Sequence, residues 1–137
     1  MTIERNYLFN KDKINYIKGD KPDVDCILCA IAEKKNGVDC LEIHRTDNFI
    51  VSVNLYPYNP GHILIFPVKH IEDYTEFTDS EALELHKLTS RTITILKNEY
   101  NPSGYNLGFN IGNSSGASIA HIHQHIVPRY IGFLLYL

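Results

Sequence analysis

The chain lacks several features that would assign it to familiar classes. Its 137 residues include no tryptophan, one methionine and only three cysteines. Three is an odd number, so no disulfide framework is read from it; such a set points to metal ligands or free thiols. The opening MTIERNYLFNKDKINYIKGDKPDVDC has no apolar core of signal-peptide length. The late apolar run FLLYL at 133–137 is far too short to span a bilayer. These absences lead us to expect a cytoplasmic protein with no membrane partner. An excess of positive charge is also missing. The formal net charge is −3, which argues against nucleic acid as the partner, although a small phosphorylated ligand needs only a few local donors. There is no internal repeat, no low-complexity stretch and no P-loop GK[ST].

What is present fits one domain, long enough to bury roughly two thirds of its unfolded surface. Residues 1–24 read as a polar, turn-rich arm, and 25–137 as the domain. DCILCAIAEKK, from Asp25, reads as a short helix with Asp25 as N-cap and Gly37 as stop. CLEIHRT (40–46) and NFIVSVNL (48–55), separated by TDN, predict an antiparallel hairpin. YPYNPGH (56–62) is a loop, and HILIFPV (62–68) a strand ending at Pro67. The clearest helix is FTDSEALELHKLTSRTITILKNEY. Thr78 with Glu81, or Ser80, caps its start, and Leu83, Leu85, Leu88, Ile93 and Leu96 form its apolar stripe. NPSG ends it. YNLGFNIG (105–112) is a strand, NSSGAS (113–118) a turn, and IAHIHQHIVP (119–128) a last strand closed by Pro128. Mostly antiparallel strands with one long helix give an α+β fold.

Three of the seven histidines fall in HIHQH at 121–125. On a strand, alternate side chains share a face, so His121, His123 and His125 line up opposite Ile122, Gln124 and Ile126. A polar strand face is the plain reading; the chemical readings are acid–base or nucleophilic work near neutral pH and a metal site. The preceding GNSSGAS favours chemistry, because small residues let several backbone N–H groups point one way and bind an anion. CILC at 26–29 is a Cys-x-x-Cys without a thioredoxin-like setting: it is either two small buried thiols or half of a metal site needing two further ligands. His44 reads as a strand residue, His86 as a helix-surface residue and Cys40 as a core thiol.

From about Cys26 to Arg129 the chain resembles the histidine triad (HIT) family of nucleotide hydrolases and transferases. The resemblance rests on FNIGNSSGASIAHIHQHIVPR, in which His-x-His-x-His is followed by two apolar residues and Pro-Arg, and on NPGHILIFPVKHIEDYTEFTD. It implies a HIT-like antiparallel sheet with one long and one short N-terminal helix. It also implies that His123 attacks the α-phosphorus of a nucleotide to form a nucleotidyl–histidine. A neutral imidazole is a competent nucleophile. By the same resemblance His125 contacts the phosphate and Ser118 donates to the phosphate or bridging atom. Asn110 and Gly116 belong to the phosphate loop, His62 lies near the α-phosphate, and Asn54 meets the ribose hydroxyls. Asn54 tilts the substrate towards dinucleoside polyphosphates, with adenosine phosphoramidates the other class. The family's usual Gln is Ala117 here, and Gln124 should face away from the triad. A His-x-His-Gln-His run is similar to that of diadenosine tetraphosphate phosphorylases, so phosphate stands beside water as the expected acceptor.

Zinc-bearing members supply two further ligands, which correspond here to His70 and His121. The resemblance thus implies a structural Zn2+ on Cys26, Cys29, His70 and His121, closed to substrate. It also implies a homodimer and a purine nucleotide or dinucleoside polyphosphate partner. The ending IGFLLYL departs from the family's polar, site-closing segments. Two rival classes remain: a nucleotide-binding regulatory module with little turnover, and an enzyme whose catalytic zinc sits on the His-x-His pair.

Overall fold

A computed structural model describes residues 24–38, 40–54, 57 and 59–131. The expected arm and the FLLYL ending lie outside the described residues, apart from Val24. Helix α1 spans Ile27–Ala32, and strands β1 and β2 span Leu41–Arg45 and Phe49–Val53. Strand β3 is Ile63–Pro67, helix α2 Asp79–Tyr100, β4 Gly104–Phe109 and β5 Gln124–Arg129. The five strands form one antiparallel sheet in the order β1-β2-β3-β5-β4. This is the expected α+β architecture. Among the described residues no helix is long and apolar enough to cross a membrane.

The two-residue period of β2 and β3 splits their side chains between two apolar clusters. Phe49, Val51, Ile63 and Ile65 pack with Ile126 against Leu85 and Leu96 of α2. Ile50 and Phe66 point the other way and pack against Leu28 of α1. Each such side chain, fully buried, contributes about 1.5–3 kcal/mol. The sheet is therefore covered by the long helix on one face and by the short helix on the other.

Helix α2 begins as expected, with a Thr78–Glu81 capping box; Glu81 also binds Lys69 at 2.8 Å. It ends at Asn101 in the left-handed conformation. Leu83, expected in the apolar stripe, is 54% exposed. Two residues before Leu85, it is turned about 200° around the axis, so both cannot face the sheet. Helix α1 starts one residue later than the sequence suggests: Cys26, not Asp25, is the N-cap, its sulfur accepting from the Cys29 N–H. Cys40 is half-buried rather than a core thiol.

The last strand begins at Gln124, not 119. The Ile122 N–H goes to Ile71 O at 2.8 Å, so the backbone of the histidine run is tied to the segment after β3 before the ladder starts. Pro128 does not close the strand, which continues to Arg129. Pro128 O accepts from Asn59 Nδ2 and Arg129 O from Ser103 N, so Pro128 faces the β3 side, where pairing stops at Ile126 and asks no N–H of it. In the turn before β3, Gly61 has φ +82°, and an added Cβ would stand 3.1 Å from Leu96 and 3.2 Å from Pro128.

Strand β1 carries a bulge. Glu42 pairs with Ser52 and His44 with Val51, leaving Ile43 as the extra residue. Glu42 and Arg45, which regular alternation would place on opposite faces, thereby share the α1 face. There Arg45 donates to Glu42 Oε1 from Nε at 3.0 Å and Nη2 at 2.6 Å, and to Ala32 O from Nη1 at 2.9 Å. The bulge thus places a cation at the C-terminal carbonyls of α1.

Candidate functional site

Four ligand-type side chains meet where α1, the end of β3 and the start of the histidine run converge. The Cys-x-x-Cys spacing puts both sulfurs at the first turn of α1. His121 Nδ1 lies 3.5 Å from Cys26 Sγ and 3.4 Å from Cys29 Sγ, and His70 Nδ1 lies 3.2 Å from Cys29 Sγ. One ligand atom from each of Cys26, Cys29, His70 and His121 falls within 4.8 Å of all the others. A tetrahedral ion with bonds of roughly 2.3 Å to sulfur and 2.0–2.1 Å to nitrogen holds such atoms about 3.6 Å apart, so the set fits a zinc-sized ion. Burial and the neighbouring Cys26 push the Cys29 thiol up to about 11. Two thiolates side by side therefore need a cation. His121 Nε2 donates to Pro67 O at 2.8 Å, which leaves the Nδ1 lone pair facing the sulfurs. Burial holds this ring neutral, lowering its pKa to about 4. Glu72 Oε2 lies 3.4 Å from His70 Nε2 and orients that ring.

His123 meets a different carbonyl. Its Nδ1 donates to His121 O at 2.8 Å. In the neutral ring the lone pair is then on Nε2. The ring is 5% exposed and belongs to a polar neighbourhood: its centroid is 4.9 Å from that of His125. His125 Nδ1 lies 2.9 Å from His62 Nε2, a hydrogen bond that requires one ring to donate to the other. Asn54 Nδ2 approaches both His62 nitrogens at 3.3 Å. Residues 54, 62, 125 and 123 thus form a continuous polar row on the α1 side of the sheet. Gln124 points away from it and lies 2.9 Å from Thr89 Oγ1 of α2, on the opposite face.

The small-residue loop forms a 3-10 turn at Asn113–Ser115, ended by Gly116 at φ +86°. Asn110, Gly116 and Ser118 are exposed, and none of them is hydrogen-bonded to the triad. A cleft of about 490 Å3 lies between this loop and the segment after β3, lined by Glu72, Asp73, Gly112, Asn113, Ala117 and Ser118. The structure therefore assembles all four expected metal ligands. It also brings Asn54, His62, His123 and His125 together, while Asn110, Gly116 and Ser118 stay exposed and Ser118 lines the cleft facing Glu72 and Asp73. Sequence reasoning missed Glu72 and the carbonyl of Pro67. Glu72 follows His70 by two residues on an irregular segment, and a backbone acceptor leaves no trace in side-chain identity.

With this geometry in view, comparisons with known proteins are specific. The family model described as "HIT domain" matches residues 36–132. An AP-4-A phosphorylase of Mycobacterium tuberculosis is 44% identical over 81 residues, which cover 58% of this chain and 42% of that protein. The chain thus spans less than half the length of that relative. An uncharacterised HIT-like protein of Methanocaldococcus jannaschii is 32% identical over 107 residues, covering 78% of this chain and 81% of the other. Among solved structures, a zinc-bound histidine triad family protein from Mycobacterium smegmatis superposes with a TM-score of 0.70 at 26% identity, covering 79% of this chain and 77% of that one.

Proposed function

The chain belongs to the HIT domain family, and on that premise we propose that it is a nucleotide hydrolase or transferase acting at an α-phosphate through His123. The observation that carries this reading is the His123 Nδ1–H···O=C bond to His121. It selects the tautomer whose Nε2 is nucleophilic. Nε2 forms a bond to the α-phosphorus as the bond to the leaving group breaks. The leaving group departs with the electron pair and takes a proton. Water or phosphate then attacks the same phosphorus, the P–N bond breaks, and the imidazole returns neutral. His125, hydrogen-bonded to His62, steadies the charge that develops on the phosphate oxygens. Ser118, Asn110 and Gly116 supply donors from the loop, and Asn54 meets the ribose.

Cys26, Cys29, His70 and His121 are the residues that would hold Zn2+, and the zinc-bound relative supports that identity. Bound there, zinc would neutralise the thiolates and tie α1 to the histidine run. The domain is taken as 25–137, acting in the cytoplasm. A homodimer is proposed with it, because Leu107 on the edge strand β4 and Leu83 and Ile95 on α2 are exposed apolar side chains.

A dinucleoside polyphosphate is the favoured substrate, supported by Asn54 and by the relative named AP-4-A phosphorylase; adenosine phosphoramidates are the second class. That relative and Gln124 also favour a second reading, phosphorolysis. The test is incubation with diadenosine tetraphosphate or an adenosine phosphoramidate, with and without phosphate. Water as acceptor yields AMP and phosphate yields ADP. An acid-labile adduct on His123 supports the covalent route. Failure of His123→Ala to alter the rate, with no adduct trapped, would leave a nucleotide-binding module instead.

A further inference from the structure

Ser52 is the penultimate residue of β2 and lies on the α1 face, the same face as Asn54. It is 4% exposed, and no group among the described residues hydrogen-bonds its hydroxyl. The oxygen is not fully sealed from solvent, so it stays open to an incoming group. Ser52 is also in line with the reaction centre: the cross-strand row runs Ser52, Leu64, His125. Two strand spacings, roughly 10 Å, separate the ends of that row. Asn54, assigned above to the ribose, sits two residues after Ser52, just past the end of β2.

On its other side Ser52 faces Glu42 across the β1–β2 pair. The Arg45 guanidinium holds the Glu42 carboxyl below its usual range, so it is ionised at neutral pH. Both Arg45 bonds fall on Glu42 Oε1. Oε2 thus keeps its lone pairs for a ligand, on a side chain that is 29% exposed. Arg45 itself is committed to Glu42 and to the carbonyls of Ala32 and Ile31, so it offers little to a ligand acceptor. The apolar side chains on this face, Leu64 and Ile31, are half-buried and pack on the Leu28–Ile50–Phe66 cluster. They form a surface suited to the flat face of a heterocycle.

We propose that Glu42 and Ser52 form the polar end of the nucleobase subsite and select bases bearing an exocyclic amino group over their oxo counterparts. This rests on the nucleotide reading above. The amino N–H donates to Glu42 Oε2, and the Ser52 hydroxyl donates to the adjoining ring nitrogen. An oxo base sets a carbonyl lone pair against the carboxylate and leaves an acceptor unmet.

AMP and IMP differ only along this edge, an amino group beside an acceptor nitrogen in one and an oxo group beside an N–H in the other, so calorimetric titration of the full chain with each is the test. The wild type should bind AMP about tenfold more tightly, the ratio that one mismatched acceptor pair is expected to produce. Glu42→Gln, whose amide can donate as well as accept, should bring the ratio near one. Ser52→Ala should weaken AMP several-fold, and because its hydroxyl makes no hydrogen bond among the described residues, it tests the idea even if Glu42→Gln folds poorly. Equal binding of AMP and IMP by the wild type overturns the proposal and leaves the nucleotide reading intact. So does a Glu42→Gln variant that folds and keeps the full ratio, or a Ser52→Ala variant with unchanged AMP affinity. Failure of both nucleotides to bind overturns the nucleotide reading as well.

Discussion

His121 and His123 are two residues apart, yet they are fixed in opposite tautomers. His121 donates from Nε2 to Pro67 O, and His123 donates from Nδ1 to His121 O. The first ring therefore presents Nδ1 to two sulfurs, and the second keeps its lone pair on Nε2, with its ring beside that of His125. Identical side chains in one short run are differentiated by which carbonyl each ring meets. That carbonyl is set by the path of the backbone, which leaves the ladder before Gln124 and is tied to Ile71.

Four experiments would break or sharpen this contrast. The largest effect is expected for His123→Ala. It should lower kcat by at least about 10,000-fold, the scale seen when a nucleophile is removed, while metal content and thermal midpoint stay near wild type. Single-turnover kinetics beside atomic emission and calorimetry would check it, and a comparable loss of metal would show that the two rings are not separate in role.

Cys29→Ser should do the reverse, lowering bound zinc and costing about 4 kcal/mol of stability, the amount supplied by a ligand present at roughly 1,000 times its Kd. Retention of zinc with an unchanged denaturation midpoint would place the metal on other residues.

A pH titration sharpens the comparison further. In metal-free protein, His121 is held neutral with a pKa near 4, against about 6.5 in an unfolded chain. Below that value the unfolded chain takes up a proton that the fold refuses. The contribution of His121 is therefore full above pH 6.5 and is lost as the pH falls towards 4. Glu81, held below its usual value by Lys69 and by the Thr78 N–H, adds a loss in the same direction at still lower pH. Chemical denaturation between pH 7 and 4 should show falling stability, and 15N spectra of His121 should keep the Nε2–H tautomer to near pH 5.

The smallest effect is expected for Gln124→Leu. It removes the contact with Thr89 on the far face of the sheet and should cost about 1 kcal/mol, with both tautomers unchanged by 15N spectroscopy.

Much of the frame was legible because its signals are local. The Thr78–Glu81 box, the TDN hairpin and the alternation in β2 and β3 each decide structure within a few residues. The ligand set and the histidine row were legible through the family pattern that quotes them. What was not legible depends on partners distant in sequence. Nothing in IAHIHQ reveals that Ile122 N–H bonds Ile71 O rather than a ladder partner, so the sequence pattern alone starts the strand five residues too early. Leu83 looked apolar enough for the stripe, but the phase fixed by Leu85 and Leu96 excludes it. The pairing of Glu42 with Ser52 was hidden because a bulge alters which residues of β1 share a face.

That bulge makes β1 sensitive to length more than to chemistry. Ile43 is 58% exposed, so exchanging it for another side chain should be well tolerated. Deleting it would restore strict alternation and turn either Glu42 or Arg45 to the opposite side of the sheet, uncoupling the guanidinium from the tail of α1. A deletion scan along this edge should therefore find its sharpest intolerance at a position where a substitution scan finds almost none.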